Sequence, residues 1–160
     1  MGRRIYSAGF NAVSCGTAVQ DIFSLLAAAT KGIQLHHIHL EASGVTTAAQ
    51  LDLRLKRGTA TVTQGSGGSA PTPGAIDAGD SLAATAVLHC NDTTQATTSG
   101  NFTGLVEYFN WNVLLPFDYM PGPEDEDRET ALINQALILD FPSTIVATTI
   151  TGFIKWREIP

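Results

Sequence analysis

The segment HHIHLE contains three histidines, and two of them, His37 and His39, have the spacing of metal ligands. His37 and His39 are two residues apart, so on a β-strand both side chains point to the same face. Neutral imidazole nitrogens bind divalent transition metals, and two rings that converge from one strand can share an ion. Outside this segment the only histidine is His89, which could supply a third ligand. These three residues are the candidates for metal chemistry.

The histidine pattern is similar to that of cupins, which are metal-binding jelly rolls, but it departs from the cupin motif twice. Cupins have a Glu after His-x-His at a longer spacing than Glu41 offers, and their later His motif with Pro and Gly is absent around His89. We therefore predict no metal site and no cofactor. A cupin-like metal-binding protein is the second alternative for the function.

Other catalytic patterns are missing from the sequence. The run GSGGS lacks the lysine and the following helix of a phosphate-binding loop. No G-x-S-x-G nucleophile elbow occurs. The sequence thus predicts a protein that is not an enzyme.

Charge and composition limit the expected partners. A net charge of -6 and a pI near 5.0 argue against a nucleic-acid binder, which usually has a basic face. Charged residues are 15% of the chain, against roughly 25% in typical soluble domains, which fits either a surface covered by other subunits or a neutral β domain. No apolar stretch reaches the length of a membrane span, so we expect neither nucleic acid nor membrane as a partner.

The clearest strand lies in AQLDLRLKRG, residues 49–58. Leucines from Leu51 to Leu55 alternate with polar residues, which predicts one buried and one solvated face. The cations from Arg54 to Arg57 are expected to form a solvated tip.

A second strand, IQLHHIHLEAS at 33–43, changes face in its middle. Its apolar residues before His36 and after His37 would lie on opposite faces of a regular strand. A β-bulge is therefore predicted at these two histidines.

Roughly eight strand-like segments follow one another with turn signals between them. Residues 20–32 fit either a short helix or a strand and turn, and 116–129, with three prolines, read as a loop. We predict an all-β chain, a β-sandwich or jelly roll of about eight strands, with residues 1–160 as a single domain. Phe109 and Trp111 are expected in its core, with Tyr108 on the opposite face.

Residues 64–74 form a Gly/Ser/Pro-rich segment between two predicted strands. Such a composition can link domains, but the strands before it are too few to close a core, so it is predicted to be a long loop of one domain. Loops of this length are uncommon unless functional or disordered. We predict an interaction loop that is mobile in the free protein and ordered by a partner. It comprises Gly65, Ser66, Gly67, Gly68, Ser69, Ala70, Pro71, Thr72 and Pro73.

The order of these segments resembles a group of small β-sandwich structural proteins of tailed bacteriophages, of the head decoration or cement type. The resemblance is carried by IYSAGFNAVS, AVQDIFSLLA, IQLHHIHLEAS, LDLRLKRG, GSGGSAPTP and the β-rich end of the chain. It implies a virion protein, assembled in the host cytoplasm, that binds the major capsid protein on the capsid exterior as a homo-dimer or homo-trimer. It implies no catalytic residues.

The first alternative to this role is a host- or carbohydrate-binding β-sandwich module of a tail fibre or baseplate. In that case an exposed aromatic patch would bind sugar, and Trp156 near the C-terminus is a candidate either for such a patch or for packing.

Overall fold

The structure, a computed structural model, describes residues 4–16, 18–98, 102, 104–124 and 128–160. Within them the chain forms β-strands and no helix, so the all-β prediction is confirmed. The strands are β1 (Ile5–Cys15), β2 (Gln20–Leu26), β3 (Gly32–Ser43), β4 (Gln50–Arg57), β5 (Val62–Thr63), β6 (Gly74–Ala75), β7 (Val87–Asp92), β8 (Thr97–Thr98), β9 (Gly104–Asn112), β10 (Phe117–Tyr119), β11 (Thr130–Ala131), β12 (Ala136–Phe141) and β13 (Thr148–Ile159).

The predicted number of about eight strands is too low for the described residues, which contain 13. The reason is that β5, β6, β8 and β11 have two residues each and β10 has three. Such strands are too short for alternation to mark them in a sequence. In the described part of the chain, no helix is long and apolar enough to cross a membrane.

The strands form two large antiparallel sheets and one small one. The six-stranded sheet has the order β10-β3-β13-β1-β6, and β11 also pairs with β3. The five-stranded sheet has the order β7-β2-β12-β4-β9, and β5 pairs with β8. The two large sheets share one core, in which Phe10 of β1 lies 5.4 Å from Phe23 of β2 between ring centroids.

Eight of the strands pair in a nested order. The strand β1 pairs with β13, β2 with β12, β3 with β10, and β4 with β9. Four loops therefore cross between the large sheets at the same end of the molecule: 16–19, 44–49, 113–116 and 142–147. Backbone hydrogen bonds join them in pairs, from Val113 N to Ala49 O at 3.1 Å and from Ile145 N to Gly16 O at 3.4 Å. We call these four loops the loop end.

The bulge predicted in β3 is confirmed. Against β13, His37 pairs with Lys155 and Leu35 with Trp156, so His36 is the extra residue. The bulge lets the apolar residues on both sides of it reach the core, where all of them are fully buried. It also leaves His37 and His39 on the outer face of the six-stranded sheet.

The strand β4 confirms the buried leucine face, but its other face is not solvated as predicted. The chain between β4 and β9 covers it, with Val62 and Ala96 packed against Ile138 of β12. As a result, Lys56 is only 5% exposed and Arg54 is half-buried, so the prediction of a solvated basic tip is wrong for these two residues.

The Gly/Ser/Pro-rich segment is attached to its own domain. Ser66 and Ser69 form isolated β-bridges with Thr94 and Cys90. The segment then enters β6, which pairs with β1. It thus covers the outer edges of β7 and β1, which would otherwise offer unpaired backbone groups to other chains. The structure thus shows hydrogen bonds from this segment to its own domain, and its mobility and its contact with a partner stay predictions.

Candidate functional site

Two histidines and one aspartate meet on the outer face of the six-stranded sheet. His37 and His39 come from β3, and Asp118 comes from the neighbouring edge strand β10, where it is paired with His39. Asp118 Oδ1 lies 2.9 Å from His37 Nε2 and 2.8 Å from His39 Nδ1. We call these three residues the histidine–aspartate cluster. Their ligand atoms all lie within 4.8 Å of one another.

The strand on the other side of β3 fixes the two imidazole rings. Phe153 of β13 stacks on His39 with an interplanar angle of 18° and a centroid distance of 5.0 Å. The same ring meets His37 edge-on at 5.1 Å. Lys155 places its ammonium group over the Phe153 ring, 5.0 Å from the centroid. The phenyl ring therefore orients both histidines toward Asp118.

The cluster is open to water on the side of the carboxylate. The Asp118 side chain is 47% exposed, whereas those of His37 and His39 are 18% and 22% exposed. Hydrogen bonds from His39 and then His37 lower the pKa of Asp118 below its usual value. The carboxylate is thus held ionised, as a metal ligand or a cation partner requires.

The structure brings together only two of the three predicted metal candidates. His89 lies on β7 in the other large sheet, where its Nδ1 is 3.2 Å from Asp92 Oδ2. Glu41 lies further along β3 and is exposed. Asp118 was missed because it stands between prolines in a segment interpreted as a loop, and a three-residue strand gives no periodic signal.

A second polar site lies between β4, β12 and β2 under the chain that covers the five-stranded sheet. Asp140 is fully buried, and its Oδ2 accepts hydrogen bonds from Lys56 Nζ and from Arg54 Nη2, both at 2.6 Å. Asp21, also fully buried, accepts a hydrogen bond from the Ala96 backbone at 2.7 Å and lies 3.9 Å from Lys56 Nζ. We call Asp21, Arg54, Lys56 and Asp140 the buried ion network.

A cavity of about 330 Å³ opens beside this network. Its lining residues are Arg54, Lys56, Gln95, Ala96, Phe102 and Tyr108. Tyr108 is 63% exposed, as its predicted position opposite the core requires. Both cations that line this cavity already bind Asp140 within the domain. The cavity therefore presents the aromatic rings of Phe102 and Tyr108 and the Gln95 amide to a ligand, and its two cations are less available to an anion.

The two cysteines and Trp156 are buried and offer no reactive or binding surface. Cys15 and Cys90 are free thiols, and burial raises the pKa of each to about 12. Thiols in that state are poor nucleophiles and poor metal ligands. Trp156 is fully buried beside Tyr6, with 6.1 Å between ring centroids, so it packs in the core and cannot form an exposed sugar-binding patch.

The loop end is a third candidate surface, of a different kind. None of its four loops contains Asp, Glu, Lys or Arg in the sequence, although Thr17 lies outside the described residues. Leu114, Leu115 and Val146 are 48%, 62% and 77% exposed there. The opposite end of the molecule carries charged side chains, including Arg4 and Lys31.

Comparisons with protein-family models, with curated proteins and with solved structures find no match to this chain.

Proposed function

We propose that the protein is a non-enzymatic structural protein of a bacteriophage virion, a capsid decoration or cement protein that docks on the major capsid lattice through its loop end. The observation that carries this proposal is the charge-free loop end, with the exposed side chains of Leu114, Leu115 and Val146. Such a surface gains free energy when a partner removes it from water. The proposed location is the capsid exterior, and the proposed form is a homo-dimer or homo-trimer.

We further infer that the two large sheets form a β-sandwich with jelly-roll topology. A jelly roll is a long antiparallel hairpin rolled up, so that its strands pair first with last, second with second-last, and so on inward. The pairs β1·β13, β2·β12, β3·β10 and β4·β9 follow that order, and the contacts of β3 with β13 and of β4 with β12 close the roll. The chain from β5 to β8 is then an insertion. Jelly rolls occur in viral capsid proteins and in lectins, which supports both leading candidates.

The difference in charge between the two ends supports a directed contact, since exposed apolar pairs occur at both ends. Exposed apolar residues scattered singly are normal on a soluble protein. Here, Leu114 and Leu115 are adjacent in one loop, and the neighbouring loops add Val146 and several small neutral residues. Lattice subunits that pack closely favour such small, uncharged contact surfaces because no charge must be desolvated.

The predicted interaction loop provides a proposed second contact. Its backbone forms β-bridges with Cys90 and Thr94. The residues from Ser66 to Ala70 nevertheless remain exposed to solvent. Pro71 and Pro73 restrict the chain further, so less conformational entropy is lost when a neighbour binds it.

The proposal predicts that replacing Leu114 and Leu115 together by Glu weakens attachment to expanded empty capsids at least tenfold. Two carboxylates placed in an apolar contact would have to be desolvated without partners. The measurement is co-sedimentation with capsids over a range of protein concentrations. The matched control replaces Leu132 and Ile133 by Glu, since these adjacent residues are 62% and 49% exposed but lie at the opposite end.

Both double variants should melt like the parent, because all four side chains are exposed. Equal capsid attachment by the parent and the Leu114/Leu115 variant would contradict the proposal. Light scattering of the same variants reports whether the loop end also contacts a second copy of the chain.

A carbohydrate- or host-binding module is the second candidate, and the exposed Tyr108 at the mouth of the cavity favours it. Aromatic faces stack on sugar rings, and the Gln95 amide at the same cavity could fix hydroxyl groups. In this case a glycan array would give binding that Tyr108→Ala abolishes, while capsid attachment would not depend on Leu114 and Leu115. No glycan binding by the parent would remove this candidate.

A further inference from the structure

We propose that the histidine–aspartate cluster of His37, His39 and Asp118 binds one Zn²⁺ ion on the outer face of the six-stranded sheet. The sequence predicted no metal site because Glu41 lies at the wrong spacing for a cupin motif and no later His motif surrounds His89. The fold supplies a third ligand from a different strand. The inference does not depend on the proposed role in the virion.

The three donor atoms already converge on one point. His37 Nε2 and His39 Nδ1 both lie within hydrogen-bond distance of the same oxygen of Asp118, and all three donors lie within 4.8 Å of one another. A tetrahedral Zn²⁺ with bonds of about 2.0–2.1 Å separates its ligand atoms by roughly 3.4 Å. Binding therefore requires Asp118 to move outward by about half an ångström, and the two imidazole nitrogens, which lie within 4.8 Å of each other, to take the same spacing. These are side-chain adjustments of one exposed and two partly buried residues.

The imidazole rings are oriented toward the site before any ion binds. The bulge at His36 sets the phase of β3 so that His37 and His39 point outward, and Phe153 packs against both rings. Ligands whose rotamers are fixed by packing lose little entropy when they bind a metal. Asp118 sits on β10 in register with His39, so the third ligand is fixed by strand pairing.

The donor set selects a borderline transition metal over a hard cation. Two imidazole nitrogens and one carboxylate oxygen are a ligand set found for Zn²⁺ with a fourth position left to water. Mg²⁺ prefers six oxygen ligands and dehydrates reluctantly, so it should not compete. The exposure of Asp118 leaves the fourth position open to solvent.

A bound ion would join the edge strand to the body of the sheet. In the described residues, β10 has three residues and pairs only with β3. Zn²⁺ bound by Asp118 on one strand and by two histidines on the other would act as a cross-link across this short ladder. The expected consequence is slower amide hydrogen exchange at Phe117 and Tyr119 in the presence of Zn²⁺.

The test is calorimetric titration of the full-length protein with Zn²⁺ and, in parallel, with Mg²⁺. We expect one Zn²⁺ per chain and no Mg²⁺ binding. Asp118→Asn, which keeps the size of the side chain but removes its charge, should weaken Zn²⁺ binding at least tenfold. The double variant His37→Gln with His39→Gln should abolish it, together with the slowing of exchange in β10.

The matched control is His89→Gln, which removes the histidine of the other sheet and its contact with Asp92. It should bind Zn²⁺ like the parent. Circular dichroism and melting curves establish that each variant is folded before titration. The proposal is overturned if the parent binds no Zn²⁺ at millimolar concentration, if the cluster variants bind as tightly as the parent, or if His89→Gln removes the binding.

Discussion

Replacing Lys56 by Met is expected to lower the free energy of unfolding by about 3–5 kcal/mol. Lys56 Nζ lies 2.6 Å from Asp140 Oδ2 and 3.9 Å from Asp21 Oδ1, and both aspartates are fully buried. Removing Lys56 takes the neighbouring cation away from buried Asp21, and a buried charge that loses its counter-ion is costly. Urea denaturation of the variant and the parent measures the effect.

The geometry explains why the remaining cation cannot compensate. Arg54 binds Asp140 through Nε and Nη2, whereas Asp21, which lies opposite Asp140 across the β2·β12 ladder, is approached by Lys56. Burial already raises the pKa of Asp21, so its ionised form is disfavoured even when Lys56 is present. Without Lys56, two buried acidic groups face each other, and the folded state favours taking up a proton.

The control variant is Lys155→Met, since Lys155 lies on the outer face of the other sheet over the Phe153 ring. Its free energy of unfolding should stay within about 0.5 kcal/mol of that of the parent. Adding Asp21→Asn to Lys56→Met should recover part of the lost stability, because the carboxylate that Lys56 leaves without a cation is then neutral, while Arg54 still pairs with Asp140. A loss below about 1 kcal/mol for Lys56→Met would mean that the network is hydrated, in conflict with its burial.

Local patterns in the sequence predicted the parts of the fold that depend on single strands. The alternation of leucines identified β4 and its buried face, and the phase change at His36 identified the bulge in β3. The same bulge placed His37 and His39 on one outward face. In each case the periodicity of one strand contains the information, because the core selects the apolar face.

Features that depend on distant segments were missed for a physical reason. Lys56 occupies a position that the alternation of β4 assigns to the solvated face. It is buried because the chain from β5 to β8 folds over that face. Asp118 joins the histidines only through pairing of β10 with β3, about 80 residues apart in sequence. The convergence of four neutral loops at one end also follows from the nested strand order, which no local pattern encodes.

In the Gly/Ser/Pro-rich segment, composition alone did not predict the close backbone contacts that the structure shows. Its composition is typical of a flexible segment, yet its glycines permit close packing. An added Cβ at Gly68 would lie 2.1 Å from Cys90 O, and one at Gly65 would lie 2.0 Å from Thr94 O. Glycine is therefore required here for the approach of one backbone to another.

Replacing Gly68 by Val is accordingly expected to lower the free energy of unfolding by roughly 2–3 kcal/mol. The clash is with backbone atoms of Cys90 and Asn91, which cannot rotate away as a side chain would. Relieving it requires the segment to leave β7 and give up the hydrogen bonds between Ser69 and Cys90, at 2.9 and 2.8 Å. Urea denaturation gives the free-energy change, and amide hydrogen exchange at Cys90 reports whether the edge of β7 has opened.

Gly74→Val is the matched control for this change. It lies in the same segment, but the nearest atom to an added Cβ is Ser7 O at 4.0 Å, so the larger side chain fits without displacement. We expect this control to unfold like the parent and Gly68→Val to exchange faster at Cys90. If both variants were as stable as the parent and exchanged alike, the segment would be the free arm that its composition predicted. In that case the segment would not protect the edges of β7 and β1, and its Gly/Ser/Pro-rich composition would be explained by a contact with an outside partner.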